Sequence, residues 1–305
     1  MADSGMPALQ EIRLRDGRCL AEACAGIFRS LPLKVKRLGT GSNDCSAWKL
    51  ELGDRTVKCY ECESPGRADL VGQATRLLEG QGVPIPEILA VTGHVVFATW
   101  TRGMPLVDKV QKGLTRRMSA YQARLHAARL PAEPARTTDF VHLQWLLHRL
   151  RKGCAGRIAP ERVDRLIRRL LELQPPHLKP GVVHPDFITP NLVVTASDET
   201  TIVDNEFLGI GTGHEFDILN TAMETFPDSE ASRDSYFSAY SDAGDLGTLV
   251  TDRPFWDLCY LAKMAGKHFV AGNLSLAQDV FARLERRTHS HAYTGGDRNP
   301  RSAVG

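Results

Sequence analysis

The most constraining part of the chain is a 21-residue stretch that begins at His184 and ends at Asp204. It reads HPDFITPNLVVTASDETTIVD, so a polar loop leads into an apolar run, a turn and a second apolar run. This pattern predicts a β-hairpin with Asn191 at the start of its first strand and Asp204 at the end of its second. Because those two ends of a hairpin are neighbours, both side chains can reach one ion.

Three oxygen-bearing side chains of this stretch predict phosphoryl transfer. Asn191 and Asp204 offer the hard oxygen ligands that Mg²⁺ prefers, and Mg²⁺ offsets the charge of nucleotide phosphates. Asp186 can then accept the proton of an attacking hydroxyl. Each residue alone has an ordinary explanation as a loop cap, a turn former or a strand end. Their joint order, H-x-D-x-x-x-x-N followed by a hairpin and an aspartate, is not easily accidental.

Composition indicates an intracellular globular protein. The 305 residues, 42% of them hydrophobic, are enough for one large domain or two lobes. Seven scattered cysteines favour reduced thiols over a disulfide framework, and Cys59-x-x-Cys62 lacks partners at zinc-finger spacing. The N-terminus has no apolar signal region, and no run approaches the ~20 apolar residues of a membrane span. We therefore expect a cytoplasmic protein with no membrane span.

The charge is balanced overall but unevenly distributed. A net charge of +2 gives no nucleic-acid footprint, so we expect no nucleic-acid partner. Residues 109–180 contain 16 Lys and Arg against 5 Asp and Glu, whereas residues 181–250 contain 13 acids against a single Arg233. The acidic segment suits a cationic acceptor, and the basic one, mostly on polar helix faces, suits an anionic acceptor or solvent. Neither bias decides between them.

The order of patterns along the chain predicts an α+β protein with two lobes. Alternating runs at 46–52 and 55–60 flank Gly53-Asp54, which indicates an antiparallel hairpin, and further strands are predicted at 88–91 and 95–98. After Gly103 the apolar spacing becomes helical. We expect a β-rich N-terminal lobe over 1–100 with an antiparallel sheet, a hinge near 98–104, a mostly helical lobe over 101–287, and a disordered tail over 288–305.

A glycine-containing segment before the first hairpin is a candidate phosphate loop. Gly39 and Gly41 allow a tight backbone, and with Ser42 and Asn43 they can bring N–H groups close to phosphate oxygens. The signal is weak alone, because G-x-G also occurs in plain hairpins. Lys58, on the next strand, is either a solvated charge or an inward phosphate clamp, and the downstream carboxylates favour the clamp.

These residues together resemble the aminoglycoside phosphotransferase/choline kinase superfamily, small-molecule relatives of the protein kinases. The resemblance covers about residues 34 to 225 and is carried by LGTGSN at 38–43, Lys58, GVPIP at 82–86, ATWTRGMPL at 98–106, QARLHAARLP at 122–131, HPDFITPN, IVDNE, and GHEFD at 213–217. It implies a bilobal protein-kinase-like fold and transfer of the γ-phosphoryl group of ATP (or GTP), with Mg²⁺, to a hydroxyl of a small molecule.

The resemblance also implies roles for individual residues. Asp186 is the catalytic base or substrate orienter, and His184 braces its loop. Asn191 and Asp204 bind Mg²⁺, and Lys58 holds the phosphates.

Further implied roles surround this centre. Glu206 is a candidate for the metal or substrate shell, and Asp217 is a structural carboxylate that ties the catalytic loop to a helix N-terminus. His126 is interpreted as a packed helix histidine outside the site. The hinge is expected to offer backbone groups to the purine from Phe97, Ala98, Thr99 and Trp100.

The chain departs from the family pattern at two positions. The family lysine usually pairs with a glutamate on the following helix, and no glutamate stands near that position here. Asp69 or Gln73 can replace it, or the pair is absent. Pro185 stands where the family commonly has glycine.

Two alternative functions stay open. A protein kinase needs a long activation segment, but only twelve residues separate Asp204 from Asp217 and no A-P-E follows. A catalytically silent nucleotide-binding regulator is favoured by the missing glutamate and opposed by the intact Asp186, Asn191 and Asp204. The acceptor, which can be an antibiotic, an amino sugar, choline or a related metabolite, and the oligomeric state are not determined by sequence.

Overall fold

A computed structural model describes residues 10–40, 46–106, 113–130 and 141–290. Its strands are β1 (Lys34–Thr40), β2 (Ser46–Glu51), β3 (Thr56–Glu61), β4 (Ile88–Thr92), β5 (Val95–Thr99), β6 (Met104–Pro105), β7 (Pro180–Val183), β8 (Leu192–Val194), β9 (Thr200–Ile202) and β10 (Gly209–Thr212). Its helices are α1 (Leu20–Phe28), α2 (Pro65–Glu79), α3 (Leu114–His126), α4 (Val141–Cys154), α5 (Pro160–Glu172), α6 (His214–Thr225), α7 (Glu230–Ser241), α8 (Arg253–Val270) and α9 (Leu274–Ser290). The predicted α+β class is confirmed, since strands dominate the first part and helices the second.

The N-terminal part is built on one antiparallel sheet in the strand order β1-β2-β3-β5-β4. The predicted Gly53-Asp54 turn joins β2 to β3, and the Leu52 N–H donates to the Arg55 carbonyl across it. The sequence patterns did not predict β1, whose charged residues hide any apolar alternation.

Side chains alternate between the two faces of this sheet. One face, which includes Val57, Cys59 and Phe97, packs against α1. The opposite face, which includes Tyr60, packs against α2. Lys58 lies between two residues of the first face, so it projects from the second, with its Nζ 5.1 Å from the centroid of the Tyr60 ring. The pleat therefore directs the Lys58 side chain to the sheet face opposite α1. A lysine that clamps a phosphate must point in this direction and not into the core beside α1.

The C-terminal part packs α4 against α8 and α8 against α9, beside two small antiparallel sheets. β7 pairs with β10, and β8 pairs with β6 and β9. The hairpin predicted between Asn191 and Asp204 is confirmed, because Leu192 lies opposite Ile202 in the β8–β9 ladder. The Val203 N–H also donates to the Asn191 carbonyl at 2.8 Å, so the two ends of the hairpin lie side by side.

The structure differs from the predicted elements near the C-terminus. α7 was not predicted, because only Tyr236 and Tyr240 of its polar sequence are buried. Gly272, with φ at 77°, separates α8 from α9. α9 continues to Ser290, three residues into the segment predicted as a tail, and Thr288 is only 1% exposed. Residues 291–305 lie outside the described residues.

Two expectations from composition concern the cysteines and membrane-spanning segments. The six cysteines of the described ranges, Cys59 and Cys62 among them, are all free and buried; Cys45 lies outside those ranges. In the same ranges, no helix combines the length and the apolar character that a bilayer-crossing segment requires.

The crossing of α4 and α8 depends on a glycine, and we predict that Gly153→Ala is destabilising. A Cβ at Gly153 would lie 2.9 Å from the Phe269 Cβ and 3.1 Å from the Gly266 carbonyl oxygen. Relief of these close contacts requires a backbone shift. Urea unfolding should therefore show that the free energy of unfolding falls by about 1–3 kcal/mol.

The matched control is Gly26→Ala in α1, where no atom lies within 4 Å of the added Cβ. This change should leave the free energy of unfolding unchanged or raise it by about 0.4–1 kcal/mol. Equal effects of the two substitutions would contradict the close helix contact.

Candidate active site

The loop after β7 presents Asp186 between buried neighbours. Pro185 and Phe187 are buried, whereas Asp186 is half-buried. The loop backbone is held from α6, because the Asn220 amide donates to the Pro185 carbonyl at 2.8 Å and the Thr221 hydroxyl donates to the Phe187 carbonyl at 2.7 Å. In the described part of the chain, no group donates a hydrogen bond to the Asp186 carboxylate. The loop is therefore fixed while its carboxylate stays available.

His184 joins the Asp186 loop to the Asp204 loop. Its side chain is fully buried, and its Nε2 lies 3.1 Å from the Asn205 Oδ1. Its Nδ1 accepts from the Asp186 backbone N–H at 3.3 Å. Burial lowers the pKa of His184, so the imidazole is neutral at neutral pH with its proton on Nε2. This geometry is that of a brace between two loops.

Asp217 holds the same loop from the first turn of α6. Its Oδ2 accepts from the His184 backbone N–H at 2.5 Å and lies 3.3 Å from the His126 Nε2. The His126 Nδ1 in turn lies 2.7 Å from the Tyr240 hydroxyl. The carboxylate is fully buried near a helix N-terminus, where the helix dipole favours negative charge. Asp217 thus links α3, α6 and the Asp186 loop, and His126 is a packed helix residue.

Asn191 joins the Asp186 loop to the end of the hairpin, because its carbonyl accepts from the N–H of Val203, the residue before Asp204. It ends a 3₁₀ turn, and its Nδ2 donates to the Asp186 carbonyl at 2.9 Å. Because the amide nitrogen is committed to the loop, the amide Oδ1 is the atom left for a ligand. This is the atom type that a hard divalent cation prefers.

Asp204 adopts an unusual backbone conformation at the end of the hairpin. Its φ of 65° and ψ of 50° lie in the left-handed region, which non-glycine residues rarely occupy and which is frequent at functional sites. Its Oδ1 accepts from the Lys58 Nζ at 2.6 Å. Burial alone would raise the pKa of Asp204, but the Lys58 charge and hydrogen bond, with a contact to Glu206, keep that pKa below its usual value. Lys58 therefore joins the N-terminal sheet to the Asp204 loop.

Glu206 places a second carboxyl group against Asp204. Burial, followed by the charge of Asp204, raises the pKa of Glu206 to about 8. Two carboxylates in contact repel each other, and a bound cation relieves that repulsion. In the described ranges, no group of three or more His, Cys, Asp or Glu side chains forms a complete metal site. Asn191, Asp204 and Glu206 offer the oxygen donors that a hard divalent cation prefers.

In the structure, Lys58 pairs with Asp204 and not with a residue of α2, where its partner was expected. Asp69 and Gln73 are both exposed on α2, and the carboxylate on Lys58 among the described residues is that of Asp204. α2 instead supplies Arg67, whose Nε donates to the Glu206 carbonyl at 3.1 Å. Arg67 was not predicted, because a charged residue in the first turn of a helix is usually solvated.

The proposed phosphate loop is described only in part. Gly39 lies in β1, where the register with β2 shifts between Arg37 and Thr40 because β1 contains one extra residue. Such a bulge is a common place for glycine. The other three predicted loop residues lie outside the described residues: Gly41, Ser42 and Asn43.

The backbone predicted to face the purine lies in and just after β5. Phe97 and Ala98 lie in β5, which pairs with β3 on one side and β4 on the other, so their backbone groups belong to the sheet. The Thr99 N–H donates to the Glu87 carbonyl and the Trp100 N–H to the Thr56 carbonyl. Phe97 is fully buried beside α1. The Thr99 and Trp100 N–H groups are therefore engaged within the protein, and the expectation that backbone groups of 97–100 meet a purine stays a prediction.

Comparison with known proteins identifies the family to which this chain belongs. The model of a family described as the phosphotransferase enzyme family matches residues 36–258, which include every element of the site. The chain belongs to the phosphotransferase enzyme family. Members of this family are enzymes, so the site belongs to a phosphotransferase. A search of curated protein sequences finds no match.

Solved structures share the fold of this phosphotransferase at low sequence identity. A thermostable mutant of aminoglycoside phosphotransferase APH(4)-Ia is 15% identical, with a TM-score of 0.60 and coverage of 90% of this chain and 99% of that chain. Choline kinase LicA from Streptococcus pneumoniae is 11% identical, with a TM-score of 0.62 and coverage of 89% and 98%. Spectinomycin phosphotransferase APH(9)-Ia, solved with ADP and spectinomycin, is 11% identical, with a TM-score of 0.57 and coverage of 88% and 93%. The predicted bilobal, protein-kinase-like architecture is confirmed.

Proposed function

We propose that this phosphotransferase transfers the γ-phosphoryl group of ATP to a hydroxyl group of a small molecule and requires Mg²⁺. One observation carries the proposal: the Asp186 carboxylate accepts no hydrogen bond from a described residue, and Asn191, at the start of the hairpin that ends at the Lys58–Asp204 ion pair, donates to the Asp186 backbone carbonyl. ADP in the spectinomycin phosphotransferase structure and AMP-PNP in a complex of APH(4)-Ia support the nucleotide assignment.

The Asp186 side chain is proposed as the group that meets the acceptor. A hydroxyl that lies within hydrogen-bond reach of its carboxylate is oriented for in-line attack and can pass its proton to Asp186 as the new bond forms. The hydrogen bonds from Asn220 and Thr221 to the loop keep this carboxylate in position. Orientation of this kind lowers the entropic part of the barrier.

Asn191 and Asp204, with Glu206 beside them, are proposed to hold the metal ion. Mg²⁺ bound there would neutralise charge on the phosphate oxygens and on the leaving diphosphate. Asp204 adopts a left-handed backbone in the loop that follows the hairpin, and His184 joins this loop to the Asp186 loop through Asn205.

Lys58 is proposed to exchange partners when the nucleotide binds. Its ammonium now neutralises Asp204 at 2.6 Å. A divalent cation on Asp204 would repel the ammonium, which would then be free to hold a phosphate oxygen. The nucleotide would lie between the N-terminal lobe, 1–100, and the helical lobe, 101–287, with its purine near the Trp100 carbonyl and Thr101.

A protein kinase is the weaker alternative. The twelve residues between Asp204 and Asp217 form a 3₁₀ turn, the strand β10 and the first residues of α6. None of this segment is left to form a platform for a peptide. The silent-regulator alternative is opposed by the free carboxylate at Asp186, which a purely nucleotide-binding protein does not need.

The test is a coupled assay of ADP release with Mg²⁺ over aminoglycosides, macrolides, amino sugars, choline, homoserine and thiamine. We expect acceptor-dependent ADP release that EDTA abolishes and excess Mg²⁺ restores. Activity toward peptides alone would overturn the small-molecule assignment. Binding of ATP with no phosphoryl transfer to any hydroxyl compound would support the silent regulator instead.

A further inference from the structure

A cluster of charged residues on three helices lies near the loop that carries Asp186. We call it the Arg149 cluster, and it consists of Arg149 on α4, Lys263 and Lys267 on α8, and Glu224 on α6. None of these four residues was singled out by the sequence patterns. Two independent sets of contacts connect the cluster to the candidate site.

The first set of contacts links α4 to the loop that carries Asp204. The Trp145 ring lies 5.6 Å from the ring of Phe207, three residues after Asp204. One helical turn beyond Trp145, the Arg149 guanidinium lies over the Trp145 ring at 5.2 Å. Arg149 is thus held above the aromatic pair that adjoins the proposed metal position.

The second set of contacts links α8 to the loop that carries Asp186. The Lys263 Nζ donates to the Asn220 Oδ1 at 2.5 Å, and the Asn220 Nδ2 donates to the carbonyl of Pro185, the residue before Asp186. The Arg149 backbone packs on α8 at Gly266, where an added Cβ would lie 3.3 Å from the Arg149 carbonyl oxygen. Gly266 lies between Lys263 and Lys267 in the sequence of α8, so the Arg149 backbone packs on the same turn of α8 that carries the two lysines.

The charges within the cluster are not balanced. Glu224 accepts from Lys263 at 3.2 Å and from Lys267 at 3.1 Å, so one carboxylate serves both lysines. Among the described side chains, no carboxylate accepts a hydrogen bond from Arg149, whose contact is the neutral Trp145 ring. Three cations and one anion leave a charge of +2. Burial lowers the pKa of Arg149, and Asp186 and Glu224 partly restore it, so Asp186 lies within electrostatic reach of the guanidinium.

We propose that the Arg149 cluster is the acceptor subsite, and that the acceptor is a hydroxyl compound which carries a carboxylate or a phosphate group. The anionic group would pair with the Arg149 guanidinium, whose planar fork of donors matches both groups. The hydroxyl would then reach Asp186, and the Trp145 and Phe207 rings would cover its apolar side. This inference rests on the proposed kinase function and adds the charge of the substrate.

The experiment compares hydroxyl compounds that share a scaffold and differ in charge. Binding to the full chain with Mg²⁺ and AMP-PNP is measured by calorimetry for glucuronate, glucose-6-phosphate, glucose and glucosamine, and for glycerate, glycerol and ethanolamine. We expect the anionic member of each set to bind roughly tenfold to a hundredfold more tightly than the neutral one, as for a hydrogen bond between charged groups. The cationic members should bind more weakly than the neutral ones.

Variants of Arg149 test which residue is responsible. Arg149→Gln should remove the preference for the anion, Arg149→Glu should reverse it, and Arg149→Lys should restore part of it. The dissociation constant of AMP-PNP should stay within about twofold in all three, since the proposed nucleotide contacts lie elsewhere. The matched control is Arg165→Gln on the exposed side of α5, which should change none of these constants.

The outcomes separate this inference from the proposed function. If AMP-PNP binds with Mg²⁺ but cationic or neutral compounds bind as tightly as anionic ones, the anionic acceptor is refuted and the kinase remains. If AMP-PNP does not bind with Mg²⁺, the proposed function itself fails. If Arg149→Gln does not fold, as shown by its melting curve, the charge preference of the unmodified protein decides alone.

Discussion

Asp186→Asn is expected to lower kcat by roughly 10²–10⁴ with any acceptor that the enzyme phosphorylates. The carboxamide keeps the size of the side chain but cannot take a proton from the attacking hydroxyl. The half-buried Asp186 side chain supports no neighbouring described residue through a hydrogen bond, so the variant should fold normally and bind ATP with Mg²⁺ as before. The measurement is steady-state ADP release at saturating acceptor and nucleotide.

A control with the same chemical change separates this effect from a general one. Asp234→Asn lies on the exposed side of α7, far from the catalytic loop in sequence, and should leave kcat unchanged. Near-normal turnover of Asp186→Asn would remove Asp186 from the mechanism and with it the assignment of the hydroxyl position.

Asp204→Ala is expected to abolish Mg²⁺-dependent binding of ATP. The change removes a proposed metal ligand and leaves the Lys58 ammonium without its carboxylate at 2.6 Å. In the unmodified protein, ATP with Mg²⁺ at a hundred times the dissociation constant should stabilise the fold by about 2.7 kcal/mol. The variant should lose that stabilisation, as measured by thermal unfolding with and without Mg²⁺.

Asp198→Ala is the matched control, because Asp198 also adopts a left-handed backbone, with φ at 60°, and forms an exposed ion pair with Arg117. Both substitutions place alanine in a left-handed backbone, and each removes one ion pair. They differ in that Asp204 pairs with Lys58 and is the proposed metal ligand. Equal stabilisation by Mg²⁺ and ATP in the two variants would show that Asp204 does not bind the metal.

The centre of the candidate site was predictable because its residues lie close together in the sequence. Asn191 and Asp204 flank two short apolar runs that can only bury themselves as a hairpin, and the ladder between Leu192 and Ile202 brings their neighbours together. The polar residues that adjoin such a hairpin are close in space whatever the rest of the fold does. The antiparallel sheet was predictable for the same reason, since the Gly53-Asp54 turn sets its register locally.

The remaining contacts of the site were not predictable, because they join residues that are far apart along the chain. Lys58 meets Asp204 across 146 positions, and Arg67 meets Glu206 across 139. The missing helix glutamate could be recognised from the sequence. Arg67, on the same helix, donates to the Glu206 carbonyl. This contact could not be recognised, because the sequence around a single charged helix residue does not indicate its partner.

The sequence by itself determined the fold class, the hairpin and the chemical type of the site, since these follow from periodicity and from short-range spacing. Only the tertiary structure indicated which described cation of residues 109–180 we propose to meet the acceptor. Arg149 is set apart from the others by the packing of α4 on Gly266 and by the ring contact of Trp145 with Phe207. Those contacts depend on how helices distant in sequence cross, which no local pattern of residues records.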